Sequence, residues 1–123
     1  MKTRAVLILL TAWSGRLLAI GLFLLWGAFF LEHLKWFVQP GIGLPPARVW
    51  LLQLAHLTML IGLLMLLRLE LLGSILTIVA ALVFFGFVAG SRFPLFFIVT
   101  VLPVVLVLAA RLIQPGAAPQ TTQ

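Results

Sequence analysis

The chain has 123 residues, of which 64% are hydrophobic and 8% are charged, and its eight basic and two acidic residues give a net charge of +6. This composition excludes a water-soluble domain, because a fold of this size buries only about two thirds of its unfolded surface and would expose the rest as an aggregating patch. The mean hydropathy of +1.31 instead predicts a chain whose solvent is the lipid bilayer.

The placement of the basic residues and the lack of Cys exclude two further classes of function. Lys and Arg stand singly at the ends of apolar segments, where membrane helices carry them toward headgroups, and no basic stripe with stacking aromatic residues is present. We therefore expect no nucleic-acid partner. Without Cys, the chain has no disulfide, no thiolate metal site and no thiol nucleophile.

The first segment, residues 1–16, has a basic start followed by a short apolar run, a pattern that signal peptides share. No cleavage site of small residues follows it, so we predict an interfacial segment or an extension of the first helix. The first crossing is predicted for residues 17–37, because about 20 helical residues span the hydrocarbon core. Residues 38–46 then contain three Pro and two Gly and cannot continue a helix.

The second and third crossings are predicted for residues 47–67 and 71–88. Nothing in this stretch breaks a helix, yet an uninterrupted helix of that length would measure ~63 Å, twice the bilayer core. Apart from Arg48 at its start, Arg68 and Glu70 are its only charged residues. We therefore expect a tight turn at the membrane surface, an Arg68–Glu70 salt bridge in that turn, and an antiparallel hairpin of two helices.

The fourth crossing is predicted for residues 94–111. It follows a break at residues 90–92, and Pro94 suits the first turn of a helix. The polar composition of residues 113–123 predicts a disordered tail. The expected fold is therefore all-α, a single four-helix transmembrane bundle over residues 17–112.

Four crossings place both termini on the same side of the membrane. That side would hold five basic residues and the opposite side three, which favours cytoplasmic termini for a multi-pass protein of the cell membrane. The five are Lys2, Arg4, Arg16, Arg68 and Arg111, and the three are Lys35, Arg48 and Arg92.

Polar side chains at membrane depth are costly, and each of them suggests a function. The candidates for an intramembrane polar site are Glu32, His33, Gln53 and His56. In a structural interpretation, Glu32 pairs with Lys35, while Gln53 and His56 hydrogen-bond across to another helix. In a functional interpretation, Glu32 and His56 form a buried acid–imidazole pair that lines a path for protons or substrate.

Two imidazoles on different helices, here His33 and His56, are also a common axial pair for haem. Their predicted depths differ by about 8 Å at 1.5 Å per residue, whereas such ligation needs both at one level. We therefore expect no cofactor, and no bound metal, since a closed metal site takes about four ligands. The sequence contains no nucleophile–base set, no paired carboxylates and no phosphate loop, so no enzyme is predicted.

Glycines predict where helices approach one another closely. Gly86 and Gly90 form a small-xxx-small pair near the end of the third crossing, which we expect to pack against another helix. The end of that helix explains Gly90 equally well. Gly21, Gly27 and Gly62 are further positions at which close helix packing is expected.

One stretch of the chain has a His early in the second crossing and an Arg-x-Glu turn followed by small residues. It covers residues 56–76, HLTMLIGLLMLLRLELLGSIL. In these features the chain resembles an uncharacterised family of small prokaryotic four-span membrane proteins, a domain of unknown function. The matching residues are His56, Arg68, Glu70, Gly73 and Ser74. Glu32 fits the acidic residue that closes the first helix in that family. The family often has Gly where this chain has Ser74, and a Pro after the His that is absent here, and the resemblance implies the four-span fold without an activity.

Together these features favour a non-catalytic accessory or structural subunit that packs against the transmembrane helices of partners or of further copies. The alternative is a small proton-coupled transporter or channel whose path is lined by Glu32, Gln53 and His56. A third interpretation is a haem-binding electron-transfer protein.

Overall fold

The computed structural model describes residues 2–38, 43 and 46–114, with the backbone alone at 36–38. Within these residues the chain forms four α-helices, as predicted, and each is long and apolar enough to cross a membrane. They are α1 Lys2–Val38, α2 Ala47–Met65, α3 Glu70–Val88 and α4 Phe93–Ile113, with a 3-10 turn Gly90–Arg92 before α4. Most of the predicted break at 38–46 and most of the predicted tail at 113–123 lie outside the described residues.

The helix α1 is much longer than the predicted first crossing, because it begins at Lys2 and continues without interruption to Val38. Residues 2–16 are therefore a helical extension of the first crossing, one of the two alternatives expected for this segment. At 1.5 Å per residue α1 is about 55 Å long, against about 28 Å for α2 and α3 and about 31 Å for α4. The four helices consequently cannot all end at the same two levels.

The helices form an antiparallel ring in which α1 and α3 each contact both α2 and α4. We call the end where α3 meets α4 the Arg92 end, and the end with the α2–α3 turn the hairpin end. The core along the ring axis is mainly apolar. Its buried residues are Ala19, Leu22, Trp26, Met59, Leu60, Leu63, Leu66, Ala80, Ala81, Phe84, Phe85 and Val104. The outer surface also exposes many large apolar side chains, which is compatible with a lipid solvent.

The chain reverses between α2 and α3 at the predicted position, residues 66–69. Two glycines let these helices approach closely. A methyl group added at Gly62 would lie 2.6 Å from Thr77 Oγ1, and one at Gly73 would lie 2.6 Å from Leu66 N. The hairpin is therefore packed backbone to backbone near its turn.

Gly86 and Gly90 do not pack against a helix of this bundle, and packing of these residues against a partner helix stays a prediction. Both residues are exposed, and a methyl group on either would meet no atom of a neighbouring helix within 4 Å. Gly90 has φ +57°, a left-handed conformation that glycine adopts readily, and it ends α3. Among the other glycines, close packing is confirmed at Gly62, whereas Gly21 and Gly27 face open space. The small-xxx-small spacing alone does not define which side of a helix faces a neighbour.

An ion pair between Arg16 and Glu70 fixes the height of α1 relative to the hairpin. Arg16 Nη2 lies 3.3 Å from Glu70 Oε1, and the two side chains are only 29% and 25% exposed. The Arg16 guanidinium also lies over the Trp13 ring, 5.5 Å from its centroid. The predicted Arg68–Glu70 salt bridge is therefore wrong, because Arg68 is exposed in the turn while Glu70, the first residue of α3, extends toward Arg16.

Both α1 and α4 extend beyond the hairpin. Arg4 Nη2 donates to Ile113 O at 2.8 Å. Gly15 packs closely on α4, where an added methyl group would lie 2.8 Å from Val107 Cγ2. The 14 residues of α1 that precede Arg16 continue about 21 Å past the level of the ion pair. We call this part of α1, residues 2–15, the overhang.

Replacing Gly73 with Ala is expected to lower the free energy of unfolding by about 1–3 kcal/mol, because the new methyl group overlaps backbone atoms. Gly86→Ala is the matched control in the same helix, and it should be neutral or stabilising by up to about 1 kcal/mol because its surroundings are open. Reversible unfolding in detergent, followed by circular dichroism, measures both. Equal effects of the two substitutions would contradict this packing of the hairpin.

Candidate functional site

Two side chains of α2 hydrogen-bond to successive turns of the α1 backbone. His56 Nε2 lies 2.9 Å from Trp26 O, and Gln53 Nε2 donates to Phe30 O at 3.4 Å. Because the helices are antiparallel, Gln53, which precedes His56 by three residues on α2, lies beside Phe30, which follows Trp26 by four residues on α1. These are the interhelical bonds that the structural interpretation of Gln53 and His56 requires.

Trp26 extends this connection to a third helix. Its indole Nε1 donates to Thr100 Oγ1 of α4 at 3.1 Å, and both residues are buried. Trp26 therefore bonds to α2 through its carbonyl and to α4 through its side chain. Three helices are held together at one level, which we call the Trp26 level.

Aromatic rings surround the Trp26 level. The centroid of the Trp26 ring lies 5.1 Å from that of Phe85 and 5.8 Å from that of Phe96. The ring of Phe84 lies 4.5 Å from that of His56. Residues of all four helices thus form one packed aromatic cluster.

His33 lies beside His56, with ring centroids 6.4 Å apart and ring planes inclined at 70°. His33 Nδ1 lies 2.6 Å from Phe29 O of its own helix. The predicted separation of about 8 Å in depth is wrong because helical side chains tilt toward the N-terminus of their own helix. On antiparallel helices the two tilts bring these side chains toward one level. The depth argument against a shared ligand is thereby removed, and the expectation of no cofactor stays a prediction.

Glu32 lies outside this cluster. Its side chain is 67% exposed, and Lys35 Nζ lies 3.1 Å from Oε1 and 3.2 Å from Oε2. The expected pair with Lys35 is therefore present. The alternative acid–imidazole pair of Glu32 with His56 is absent from the described contacts, since Glu32 faces outward.

A cavity of about 280 Å³ lies between His56 and Arg92. Its walls are mainly aromatic, formed by Trp26, Phe29, Phe84, Phe85 and Phe96. His33, His56 and Arg92 contribute its polar groups. An adjoining cavity of about 180 Å³ shares His33 with the first and extends to Gln53. Three of the four predicted site residues, all except Glu32, therefore line one connected region.

The His56 ring has an unused hydrogen-bonding atom. Because a backbone carbonyl can only accept, the bond to Trp26 O requires the proton on Nε2, which leaves Nδ1 as an acceptor. His56 is 1% exposed, and its Nδ1 has no hydrogen-bond partner among the residues that the structure describes. A buried acceptor without a donor is destabilising, so this atom favours a donor from outside the chain.

The region holds few groups that could bind a metal ion. Within residues 2–38, 43 and 46–114 no three His, Cys, Asp or Glu side chains come together as metal ligands. The polar residues that line this region are His33, His56, Gln53 and Arg92, and the rest of its lining is mainly aromatic. Such an arrangement suits recognition of a planar molecule with few polar groups.

No protein-family model, curated protein or solved structure matches the chain. The resemblance of residues 56–76 to the four-span family therefore stays a prediction.

Trp26, Thr100 and Arg92 belong to this region but were not predicted as site residues. Trp26 carried a usable signal. It lies far from both ends of an apolar helix, where a buried indole N–H needs an acceptor. Thr100 and Arg92 carried none, because their roles depend on the rotation of α4 and on the cavity that the four helices enclose.

The Trp26–Thr100 bond can be measured with a double-mutant cycle of Trp26→Phe and Thr100→Val. We expect a coupling energy of about 0.6 kcal/mol, with about 1.7 kcal/mol as the upper bound for bonds between membrane helices. The control cycle combines Trp26→Phe with Thr58→Val, because Thr58 bonds only within its own helix, to Leu54 O. Unfolding free energies in detergent give both couplings, and additivity in the first cycle would refute this hydrogen bond.

Proposed function

We propose that the chain is a multi-pass membrane protein that acts as a non-catalytic structural or accessory subunit, packing against an apolar helix of a partner protein. One observation carries this proposal. The overhang, residues 2–15 of α1, is an apolar helix that continues past the α2–α3 hairpin and presents large apolar side chains.

The charges of the bundle define the slab that fits the hydrocarbon core. From Arg16 to Lys35 α1 rises about 28 Å, which matches α2, α3 and a core ~30 Å thick. This placement puts Arg16, Glu70 and Arg68 at one surface. A core that began at Arg4 would instead hold those three charges about 18 Å inside the oil, at a cost of roughly 2.5–3.5 kcal/mol for each unpaired charge.

The overhang therefore lies beyond the hydrocarbon core. It extends about 21 Å, whereas the headgroup layer on each side adds only about 5–8 Å. Five of its large apolar side chains are half exposed or more. They are Val6 52%, Leu7 56%, Leu9 57%, Leu10 59% and Trp13 51%. An apolar surface of this size is unfavourable in water, and packing against a partner protein would bury it.

A groove along the overhang suits a helical partner. Its volume is about 300 Å³, and Ala5, Ile8, Leu9, Ala12 and Trp13 are among the residues that line it. Ala5 and Ala12 lie two helical turns apart on one side of α1, and small residues at such spacing let a second helix approach closely. The occupant that we propose is an apolar helix of a partner subunit.

The transporter alternative is less well supported. Glu32, one of its three path residues, is exposed and paired with Lys35. The other two, Gln53 and His56, are bonded to backbone carbonyls of α1 and hold helices together. A proton path through these groups would have to break the bonds that connect α1 to α2.

We also propose that the hairpin end faces the cytoplasm, because it holds five of the eight basic residues. Arg16 at this end contacts the hairpin, and Arg4 contacts the last turn of α4. At the opposite end Arg48 lies over the Phe87 ring, 5.9 Å from its centroid. The overhang and its partner would then lie on the cytoplasmic side of the cell membrane.

Site-specific photo-crosslinking in native membranes tests the subunit proposal. A photoreactive residue at Leu9, 57% exposed on the overhang, should give a discrete crosslinked protein band. The matched control is the same residue at Leu82, 52% exposed on α3, which should crosslink to lipid only. A band of twice the chain mass would identify a second copy as the occupant, and lipid adducts alone at both positions would overturn the proposal.

The orientation can be tested with single cysteines, since the chain has none. In intact cells a membrane-impermeant maleimide should label Ser91→Cys at the Arg92 end. It should leave Leu69→Cys at the hairpin unlabelled until the membrane is permeabilised. The reverse pattern would contradict cytoplasmic termini, and labelling of neither position after permeabilisation would contradict the proposed surface location of the hairpin.

A further inference from the structure

We propose that the cavity between His56 and Arg92 is a binding site for a small hydroxylated aromatic molecule of the phenol or hydroquinone class. The inference is independent of the subunit role, because it rests on the cavity and the Trp26 level rather than on the overhang. Three properties of the cavity lead to this class of ligand: the acceptor on His56, the aromatic walls and the position of Arg92.

The acceptor determines which polar group the ligand must carry. His56 lines the cavity, is 1% exposed and donates from Nε2 to Trp26 O, so its buried Nδ1 offers a lone pair. A ligand oxygen without hydrogen, as in an ether or a quinone carbonyl, cannot donate to this atom. A hydroxyl can, and it would supply the donor that the described residues do not.

The walls determine the rest of the ligand. Trp26, Phe85 and Phe96 pack against one another with ring centroids 5.1–5.8 Å apart, and Phe84 lies against the His56 ring. Flat aromatic faces of this kind favour another ring, which gains about 0.5–1.5 kcal/mol beyond its buried area for each ring pair. The volume of about 280 Å³ is sufficient, since an apolar cavity of roughly 150 Å³ already holds a benzene molecule.

Arg92 favours a second oxygen on the same ring. It lines the cavity from the 3-10 turn, at the Arg92 end of the bundle. A guanidinium only donates, so it suits an oxygen acceptor, while His56 Nδ1 suits an oxygen donor. A ring with two hydroxyl groups satisfies both. Amphipathic rings collect at the membrane interface, where the slab defined by Arg16 and Lys35 places Arg92.

Water and metal ions match these features less well. A water molecule would satisfy Nδ1 of His56, but it occupies about 30 Å³ of liquid volume and has no use for aromatic walls. A metal ion would find two imidazoles near a guanidinium, and the described residues provide no third His, Cys, Asp or Glu ligand. The aromatic alcohol matches the acceptor on His56, the donors of Arg92 and the aromatic walls.

Equilibrium dialysis of the purified full chain in detergent, against empty micelles, tests this site with 1,4-hydroquinone as the probe. We expect saturable binding of one molecule per chain. The dimethyl ether of hydroquinone has the same ring and no donor, so its affinity should be lower by about tenfold or more. Equal binding of the two compounds, or no saturable binding of hydroquinone, would overturn the proposal.

Three variants locate the site. His56→Gln retains an amide N–H for Trp26 O but replaces the ring acceptor Nδ1 with an amide oxygen at a different position, and Ala89→Phe adds bulk to the cavity from the end of α3. Both should weaken hydroquinone binding by about tenfold or more. The matched control is Ala28→Phe, which places the same bulk in a separate apolar groove between α1 and α2 and should leave binding unchanged. Loss of binding in Ala28→Phe, or its retention in Ala89→Phe, would refute this location even if His56→Gln fails to fold.

Discussion

The ion pair between Arg16 and Glu70 is the constraint on which the rest of the molecule depends. It joins the middle of the longest helix to the first residue of the hairpin's second helix, with both side chains largely shielded. Glu70 is the first residue of α3, so the α2–α3 turn fixes its position. The ion pair therefore determines how much of α1 packs alongside the hairpin and how much extends beyond it. Twenty residues from Arg16 to Lys35 then match α2 and α3 in length, and the overhang is the remainder.

At the opposite end of the bundle, the groups that hold the helices together also create the candidate site. The Trp26 carbonyl of α1 accepts a hydrogen bond from His56 Nε2, and this bond determines the tautomer of the ring. The structural bond therefore gives Nδ1 its character as an acceptor, and the aromatic packing around Trp26 gives the adjoining cavity its walls. Stability and binding are consequently linked at His56. A substitution there tests the binding role of Nδ1 only if it keeps the hydrogen bond to Trp26 O.

The helices, the hairpin turn and the helical start of α4 at Pro94 were predictable from the sequence, because segment length and the position of charges decide them. Contacts that depend on helix rotation were not. Glu70 was expected to pair with Arg68, two residues away in sequence, but it pairs with Arg16. Gly86 and Gly90 have the small-xxx-small spacing of packed helices, but they lie on an open side of α3. The closeness of His33 and His56 was missed because depth was counted along the backbone, without the tilt of side chains toward each helix N-terminus.

Measuring the depth of the hairpin in the bilayer tests whether the α2–α3 turn lies at the membrane surface and the overhang lies outside the hydrocarbon core. Nitroxide labels at positions 69, 9 and 79 in lipid nanodiscs, read by their collision rates with oxygen and with a nickel chelate, report depth. We predict that position 79 lies in the hydrocarbon core, position 69 lies at headgroup depth and position 9 lies outside the core on the same side. A hairpin label as deep in the core as position 79, with position 9 at headgroup depth, would contradict this prediction.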